Sequence, residues 1–318
     1  MRATVGGLVA GVVRLGLVGC AVLYAARWLD VANTWVAALQ AIVPIAGAGI
    51  LTLSAVAALL RRRRTALAGA LASVCVLAVS APSMWAVVHR PDATPRAGDL
   101  VVLSSNLQLG GADPRRLAAT VDELDVDVLV LLEVTPEAEA ALAVQGLRTR
   151  LPHAVGAAAP GASGTLVWSR HPLTPLPLPA SSVRDLGQPA ATVQTPAGPV
   201  TLRAVHPLPP TLPGPWHASL TELGQWARSQ PSGIPLVLAG DANATGDHPV
   251  LRAAAAGLVD AQAATGTGWP TWPVGRTRLP PFAQIDHVLV RGCAPVAAGT
   301  GQLPGTDHSY VWARLRLG

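Results

Sequence analysis

The sequence contains no lysine, so its 23 formally basic residues are all arginine. Charge of either sign is scarce: charged residues make up 13% of the 318 positions, while half of the chain is hydrophobic. That balance excludes an ordinary soluble protein and points to a membrane portion. Cysteine is nearly absent too. Cys20, Cys75 and Cys293 offer no disulfide framework and no CxxC metal knuckle. Cys20 and Cys75 lie in apolar stretches and read as small core residues, and Cys293 stands alone in the C-terminal part. The chain also lacks a basic stretch interleaved with aromatics. Through Leu100 there are 9 Arg against 3 Asp; beyond it 14 Arg face 15 Asp and Glu. The basic character belongs mainly to the first third, and the near-neutral remainder lacks the broad basic footprint of a strong non-specific DNA binder.

What is present first is apolar length. Val36 to Leu60 is a 25-residue run without a charge, and Thr65 to Val88 is a second such run. Each is long enough to cross a hydrocarbon core as a helix. Arg61-Arg62-Arg63-Arg64 between them marks a cytoplasmic turn by the positive-inside rule, which puts everything after about His89 outside. Val5 to Trp28 is a third span, interrupted by Arg14 at a cost of roughly 2.5–3.5 kcal/mol on insertion scales. It reads as an uncleaved anchor, with Trp28 and Trp35 at the outer interface. The expected organisation is a membrane region over 1–88 with spans near 5–28, 36–60 and 65–88, a polar linker over 89–98, and a catalytic domain over 99–318.

From Asp99 onward apolar strand-like runs alternate with helices, an α/β pattern. Strands are expected at Leu100–Leu103, Val126–Leu132, Thr165–Trp168, Val200–Val205, Pro235–Ala239, Ile285–Val290 and Tyr310–Leu315. Helices are expected from Asp113-Pro114 to about Leu124, from Pro136 to about Gln145, from Trp216 to Arg228 and from Pro249 to Ala256. Asn106, Glu133, His206 and Asp241 follow strand ends, positions that converge on one edge of a sheet core.

Three strings carry chemistry: Gly240-Asp241-Ala242-Asn243-Ala244-Thr245, Gln284-Ile285-Asp286-His287 and Gly305-Thr306-Asp307-His308-Ser309. Glu133, ending an apolar run, reads as a hard oxygen ligand for Mg²⁺ or as a solvated strand end. Asp241 and Asn243 are two apart and face the same way, suited to orienting a water beside a phosphate; a plain turn is the bland alternative. Asp307 can reach a metal and His308 a phosphate or water, with Asp286 fixing the His308 tautomer. On residue types alone a zinc site stays open. His287 would face the other side of its strand and pack. His153, His171, His217 and His248 read as surface or turn residues, and Trp269 and Trp272 as packing or loop anchors.

Taken in order, these strings resemble the endonuclease/exonuclease/phosphatase superfamily over roughly Asp99 to Gly318. The matching segments are Ser105-Asn106-Leu107, Glu133, Gly164 to Pro172, Ala204-Val205-His206-Pro207, Gly240-Asp241-Ala242-Asn243, Ile285-Asp286-His287-Val288 and Asp307-His308-Ser309. The resemblance implies a two-sheet α/β sandwich flanked by helices, here preceded by about three transmembrane helices. It implies Mg²⁺, or alternatively Mn²⁺, held by Glu133 with Asn106 and Asp307 close by. It further implies that Asp241 activates water, that Asn243 orients it, that His206 and His308 hydrogen-bond phosphoryl oxygens, and that Asp286 supports His308.

The expected protein is therefore a membrane-anchored, extracytoplasmic phosphoesterase. Its expected partners are the lipid bilayer and a phosphoester substrate: nucleic acid, phospholipid or small molecule. No protein partner is inferred. No long duplex-gripping insertion is evident, and near neutrality weakens the nucleic-acid option. The rivals are a non-catalytic anchored binding module and a transporter subunit. Retention of all the named residues argues against the first, and the absence of paired intramembrane charges against the second.

Overall fold

The computed structural model describes residues 2–183, 186–275 and 279–318. Four helices come first: α1 (Arg2–Ala25), α2 (Thr34–Ala41), α3 (Val43–Leu59) and α4 (Arg63–Val88). The stretches Gly7–Trp28 and Arg63–Val88 are long and apolar enough to cross a membrane, and α2 with α3 makes a third if that bent pair is one span. The continuous helix expected from Val36 to Leu60 is instead broken at Ile42, where the two axes diverge by 52°. Pro44, at the start of α3, lacks the N–H that would carry the α2 ladder onward. Asn33 caps α2 by accepting from Trp35 N at 2.9 Å and Val36 N at 3.2 Å. Arg14 Nε donates to Thr65 Oγ1 at 3.0 Å, in the first turn of α4, so this arginine lies level with the start of the helix that follows the arginine turn.

The remaining elements are β1 (Leu100–Asn106), α5 (Pro114–Glu123), β2 (Val128–Leu132), α6 (Pro136–Val144), α7 (Leu147–Arg150), β3 (His153–Ala157), β4 (Thr165–Ser169), β5 (Leu173–Leu176), β6 (Ala190–Thr195) and β7 (Gly198–Val205). They continue with α8 (Pro213–Ser229), β8 (Leu236–Asp241), α9 (Pro249–Ala254), β9 (Val259–Asp260), α10 (Ala261–Ala264), β10 (Asp286–Arg291), β11 (Cys293–Gln302) and β12 (Ser309–Leu317). They form two mixed six-stranded sheets, ordered β11-β12-β1-β2-β4-β3 and β5-β6-β7-β8-β10-β9.

Alternation along each strand explains why the central runs are apolar throughout. Leu100 and Val102 join Val128, Val130, Val200, Leu202, Val237 and Val288 between the sheets. Val101 and Leu103 face outward against Leu117 and Val121 of α5 and Leu142 of α6. On the second sheet Leu236, Leu238 and Leu289 pack under Trp216, Leu220 and Leu223 of α8. Strands buried on both faces carry no polar alternation, and each such Val or Leu contributes about 1.5–3 kcal/mol.

The topology directs several chain ends to one edge. β1 and β2 run parallel, as do β7 and β8, so Asn106, Glu133, His206 and Asp241 all stand at or just past carboxyl ends. β10 is antiparallel to β8, which sets its first residue Asp286 opposite Asp241. β12 is antiparallel to β1, so Asp307 and His308, just before it, reach the same edge.

Helices and sandwich are bolted together. Arg27 forms an ion pair with Asp247, and Arg252 Nη2 donates to Arg27 O at 2.6 Å. His217 Nε2 meets Asp30 Oδ1 at 2.9 Å, and Thr34 Oγ1 donates to Pro210 O at 2.9 Å. Ala37 is buried in the α8 cluster. His248, expected as a surface or turn residue, is buried with Nδ1 2.8 Å from Thr245 N and Nε2 3.0 Å from Ala37 O. Thr245 N–H needs an acceptor and Ala37 O needs a donor, which fixes the neutral Nε2–H tautomer. A second bolt lies at Gly266, whose φ is +67° and where a Cβ would stand 2.5 Å from Val87 Cα of α4.

Candidate active site

Asn106 is fully buried and stitches the two sheets. Its Nδ2 donates to Glu133 Oε1 and to Asp241 Oδ2, both at 3.2 Å, while its Oδ1 accepts from Gln108 N at 2.9 Å. Glu133 Oε2 accepts from Leu109 N at 2.8 Å. Backbone strain gathers here: φ is +46° at Gln108, +55° at Leu109, +55° at Glu133 and +49° at Asn243. Non-glycine residues hold such angles only where their surroundings over-determine them, and functional sites are where they cluster.

Asp241 is buried, accepting from Asn243 N at 2.7 Å through Oδ1. Burial lifts its carboxyl above the usual range; the His308 charge opposes that shift and Asp286 reinforces it. Gly240 before it has φ +151°, and a Cβ there would stand 2.1 Å from Val205 O, so only glycine lets the ends of β7 and β8 meet. Asn243 Nδ2 donates to Pro207 O at 3.1 Å, tying the Asp241 loop to the segment after His206.

His308 lies between three carboxylates. Its Nδ1–H donates to Asp286 Oδ2 at 3.0 Å; Nε2 stands 3.8 Å from Asp241 Oδ2 and 3.9 Å from Asp307 Oδ1. Burial disfavours its cation, but Asp286 and Asp241 outweigh that and push the imidazole up to about 10. His206 is the opposite case. Burial, with the His308 charge, pulls it down to about 4, so it is neutral at pH 7. Its Nε2 is 3.9 Å from Glu133 Oε1, and its Nδ1 is buried with no partner among the described residues.

All eight residues expected from sequence thus meet at one edge. Three neighbours were not anticipated. Thr271 Oγ1 accepts from Ile285 N at 3.1 Å and Asp286 N at 3.2 Å; Thr306 Oγ1 donates to Asn106 O at 2.8 Å; Gln188 Oε1 accepts from His206 N at 3.2 Å. Thr306 sat inside a recognised string, whereas Thr271 and Gln188 lie in Pro-rich loops with no local signature. His287 faces away, with Nδ1 2.7 Å from Asp260 Oδ2 and Nε2 3.0 Å from Ala244 O. Only the start of the Gly164–Pro172 segment lies near the site, where Gly164 O accepts from Val134 N at 3.0 Å; Ser169 pairs with Val128, at the far end of β2 from Glu133.

A cation suits this arrangement. Glu133, Asp241, Asp286 and Asp307 crowd one edge, and Asp286 Oδ1 is buried with no partner among the described residues. Asp241, Asp286 and His308 offer ligand atoms within 4.8 Å of one another. Asn106, Glu133 and Asp307 add a carboxamide and two carboxylates, the hard oxygen donors that divalent cations of the Mg²⁺ type prefer.

A sequence profile of the Endonuclease/Exonuclease/phosphatase family matches residues 103–308. Among solved structures, the endonuclease/exonuclease/phosphatase from Beutenbergia cavernae DSM 12333 is similar at 25% identity and a TM-score of 0.54, over 69% of this chain and 72% of that one. Sphingomyelinase C from Streptomyces griseocarneus shares the fold at 17% identity and a TM-score of 0.52, over 70% and 99% of the two chains. D. rerio TDP2, complexed with single strand DNA product, shares it at 15% identity and a TM-score of 0.55, over 69% and 99%. No curated protein matches the chain at a significant level.

Proposed function

The chain belongs to the endonuclease/exonuclease/phosphatase family, and from that premise we propose that it is a membrane-anchored, divalent-metal-dependent phosphoesterase that hydrolyses its substrate with water activated at Asp241. The observation that carries the reading is the His308 relay, with Asp286 on one ring nitrogen and Asp241 facing the other.

Glu133, Asn106 and Asp307 would hold Mg²⁺, or Mn²⁺ in its place. The ion would neutralise phosphoryl charge, the main requirement of phosphoryl transfer. His308 is the weaker ligand of the buried trio, because its Nδ1–H is committed to Asp286 and its protonated form is favoured. Asp241 takes the proton of the attacking water. Burial raises its pKa toward the working pH, where a general base is most effective. Asn243 holds the Asp241 loop in register and orients the water. His308, cationic, donates from Nε2 to a phosphoryl oxygen, and Asp286 stabilises that charge. His206, neutral, adds a second hydrogen bond. The water oxygen bonds to phosphorus, the bond to the leaving alcohol's oxygen breaks with its electron pair, and the proton taken by Asp241 ends on that alcohol.

The assay is the full chain in detergent with Mg²⁺ and bis-p-nitrophenyl phosphate. Hydrolysis is expected, and Asp241→Ala and His308→Ala should each lower it by roughly 10²-fold or more. Undiminished turnover in both variants would sink the mechanism; no turnover by the parent with any phosphoester would favour the anchored binding module. For placement, the Arg61–Arg64 turn supports an extracytoplasmic catalytic unit by the positive-inside rule. Protease added to intact cells should then cleave the sandwich; cleavage only after lysis would reverse the placement.

A further inference from the structure

Beside His308 and Asn243 opens a cavity of about 560 Å³. That volume is typical of small-molecule sites, roughly 300–1,000 Å³. One wall comes from the helical region: Ala37, Ala38 and Ala41 of α2, and Ile42 at the elbow before α3. The facing wall is Trp272, Phe282 and Ile285, and Pro209 and Pro210 border it. Trp272 and Phe282 brace each other edge to face at 5.7 Å. Among the described residues the lining contains no Asp, Glu or Arg. Its polar groups include the candidate site's own His308 and Asn243.

Resting on the phosphoesterase reading, we infer that this cavity is a hydrocarbon-chain subsite, and that the substrate is an amphiphilic phosphoester drawn from the bilayer. Its phosphate is held at His308 and Asn243 while its alkyl or acyl chain lies between α2 and the Trp272–Phe282 wall. Three observations select this occupant. Apart from His308 at its inner end the lining is uncharged, and the cavity ends on the groups that face a phosphate. Its alanine wall belongs to α2, the first half of the bent pair that makes a third candidate span, and Ile42 at the bend joins that wall beside the site. The loop supplying the other wall carries Trp269, 67% exposed, three residues after Gly266, which abuts Val87 at the end of α4. Trp28, Trp35 and Trp85 are likewise exposed near the sandwich ends of the helices. Such tryptophans mark the headgroup level of a bilayer, so the cavity stands where a lipid phosphate and the start of its chain reside. A nucleic acid presents neither an uncharged chain nor that depth. The bonds made and broken are those of the hydrolysis above.

The probe is a series of alkyl p-nitrophenyl phosphates, from methyl through butyl to octyl, given to the full chain in detergent. Because each buried methylene adds to binding, kcat/KM should rise roughly tenfold or more from methyl to octyl. Ala41→Phe and Ala38→Phe, which put rings into the chain path, should each flatten that rise. Thermal unfolding of each variant reports its folding, and two positions guard against one misfolding. A parent that hydrolyses all three esters equally, or a rise retained undiminished in both folded variants, overturns the subsite and leaves the phosphoesterase reading standing. Absence of turnover with every ester, methyl included, overturns that reading and the subsite with it.

Discussion

His248 Nε2 donates to the carbonyl oxygen of Ala37 across 211 positions of sequence, at 3.0 Å. This one bond joins the loop that follows Asp241 and Asn243 to the helix that walls the cavity. The ring can make this bond and also accept from Thr245 N at Nδ1 only as a neutral imidazole.

Acid should therefore loosen the protein through His248. Burial holds this imidazole down at about 4, against an unfolded value of 6.5. Above about pH 6.5 its contribution is complete. As pH falls from 6.5 toward 4 the unfolded chain takes up a proton that the folded one refuses, so stability drops by about 3 kcal/mol for this group. His206, also depressed to about 4, adds a drop of the same sign. His308, raised to about 10, acts oppositely: its contribution is complete below 6.5 and is lost as pH rises through the folded value. Denaturant midpoints from pH 4 to 8 should show the acid loss, and His248→Gln should remove roughly half of it. An unchanged acid slope in the variant would refute the assignment.

Asp286→Asn keeps the shape of the partner but removes its charge. His308 then loses its strongest support for the cation, and its pKa should fall. Turnover of bis-p-nitrophenyl phosphate should drop by roughly 10–100-fold, as for other residues that orient a functional group. NMR titration of the His308 ring separates this from misfolding. A pKa that stays where it was, alongside lost activity, would contradict the relay.

Chelation should abolish turnover, and Mg²⁺ or Mn²⁺ should restore it. Glu133→Gln should raise the Mg²⁺ concentration needed for half-maximal rate by roughly 10-fold or more, because a carboxylate ligand becomes a neutral amide. Calorimetric titration with Mg²⁺ reads the same loss without relying on catalysis. Equal affinity in the variant would remove Glu133 from the ligand set.

Gly266→Val puts a branched side chain where even a Cβ would lie 2.5 Å from Val87 Cα, at a φ of +67°. The expected cost is about 2 kcal/mol or more, read as a lower unfolding midpoint in detergent. The same substitution at Gly246, where nothing lies within 4 Å of a new Cβ, should cost less than about 1 kcal/mol.

The central strands were readable because burial on both faces leaves an unbroken apolar run, as in Val128–Leu132. The chemistry was readable because polar residues at the ends of such runs stand out, and parallel pairs bring those ends together. The peripheral strands were not. β3 is half-exposed along its length, β5 is four residues containing a proline, and β11 is mostly Ala, Gly and Thr. Their pairing is imposed by neighbours, so no period marks them. The break in the Val36–Leu60 run depended on one proline, Pro44, inside an otherwise uniform stretch. His248 looked like a turn residue because its burial comes from a helix 211 positions away, and Thr271 acts only through backbone amides, which leave no trace in local sequence.

The bolts at Arg27, His248 and Gly266 have a further consequence. A sandwich tethered by a loose linker would sweep a volume and sample phosphates at many heights. This one is held on the ends of its own helices, and on the bilayer-substrate proposal it would work as a depth gauge. It would discriminate among phosphoesters by how far each phosphate stands from the hydrocarbon before any feature of the headgroup is read, and its search for substrate would be confined to two dimensions.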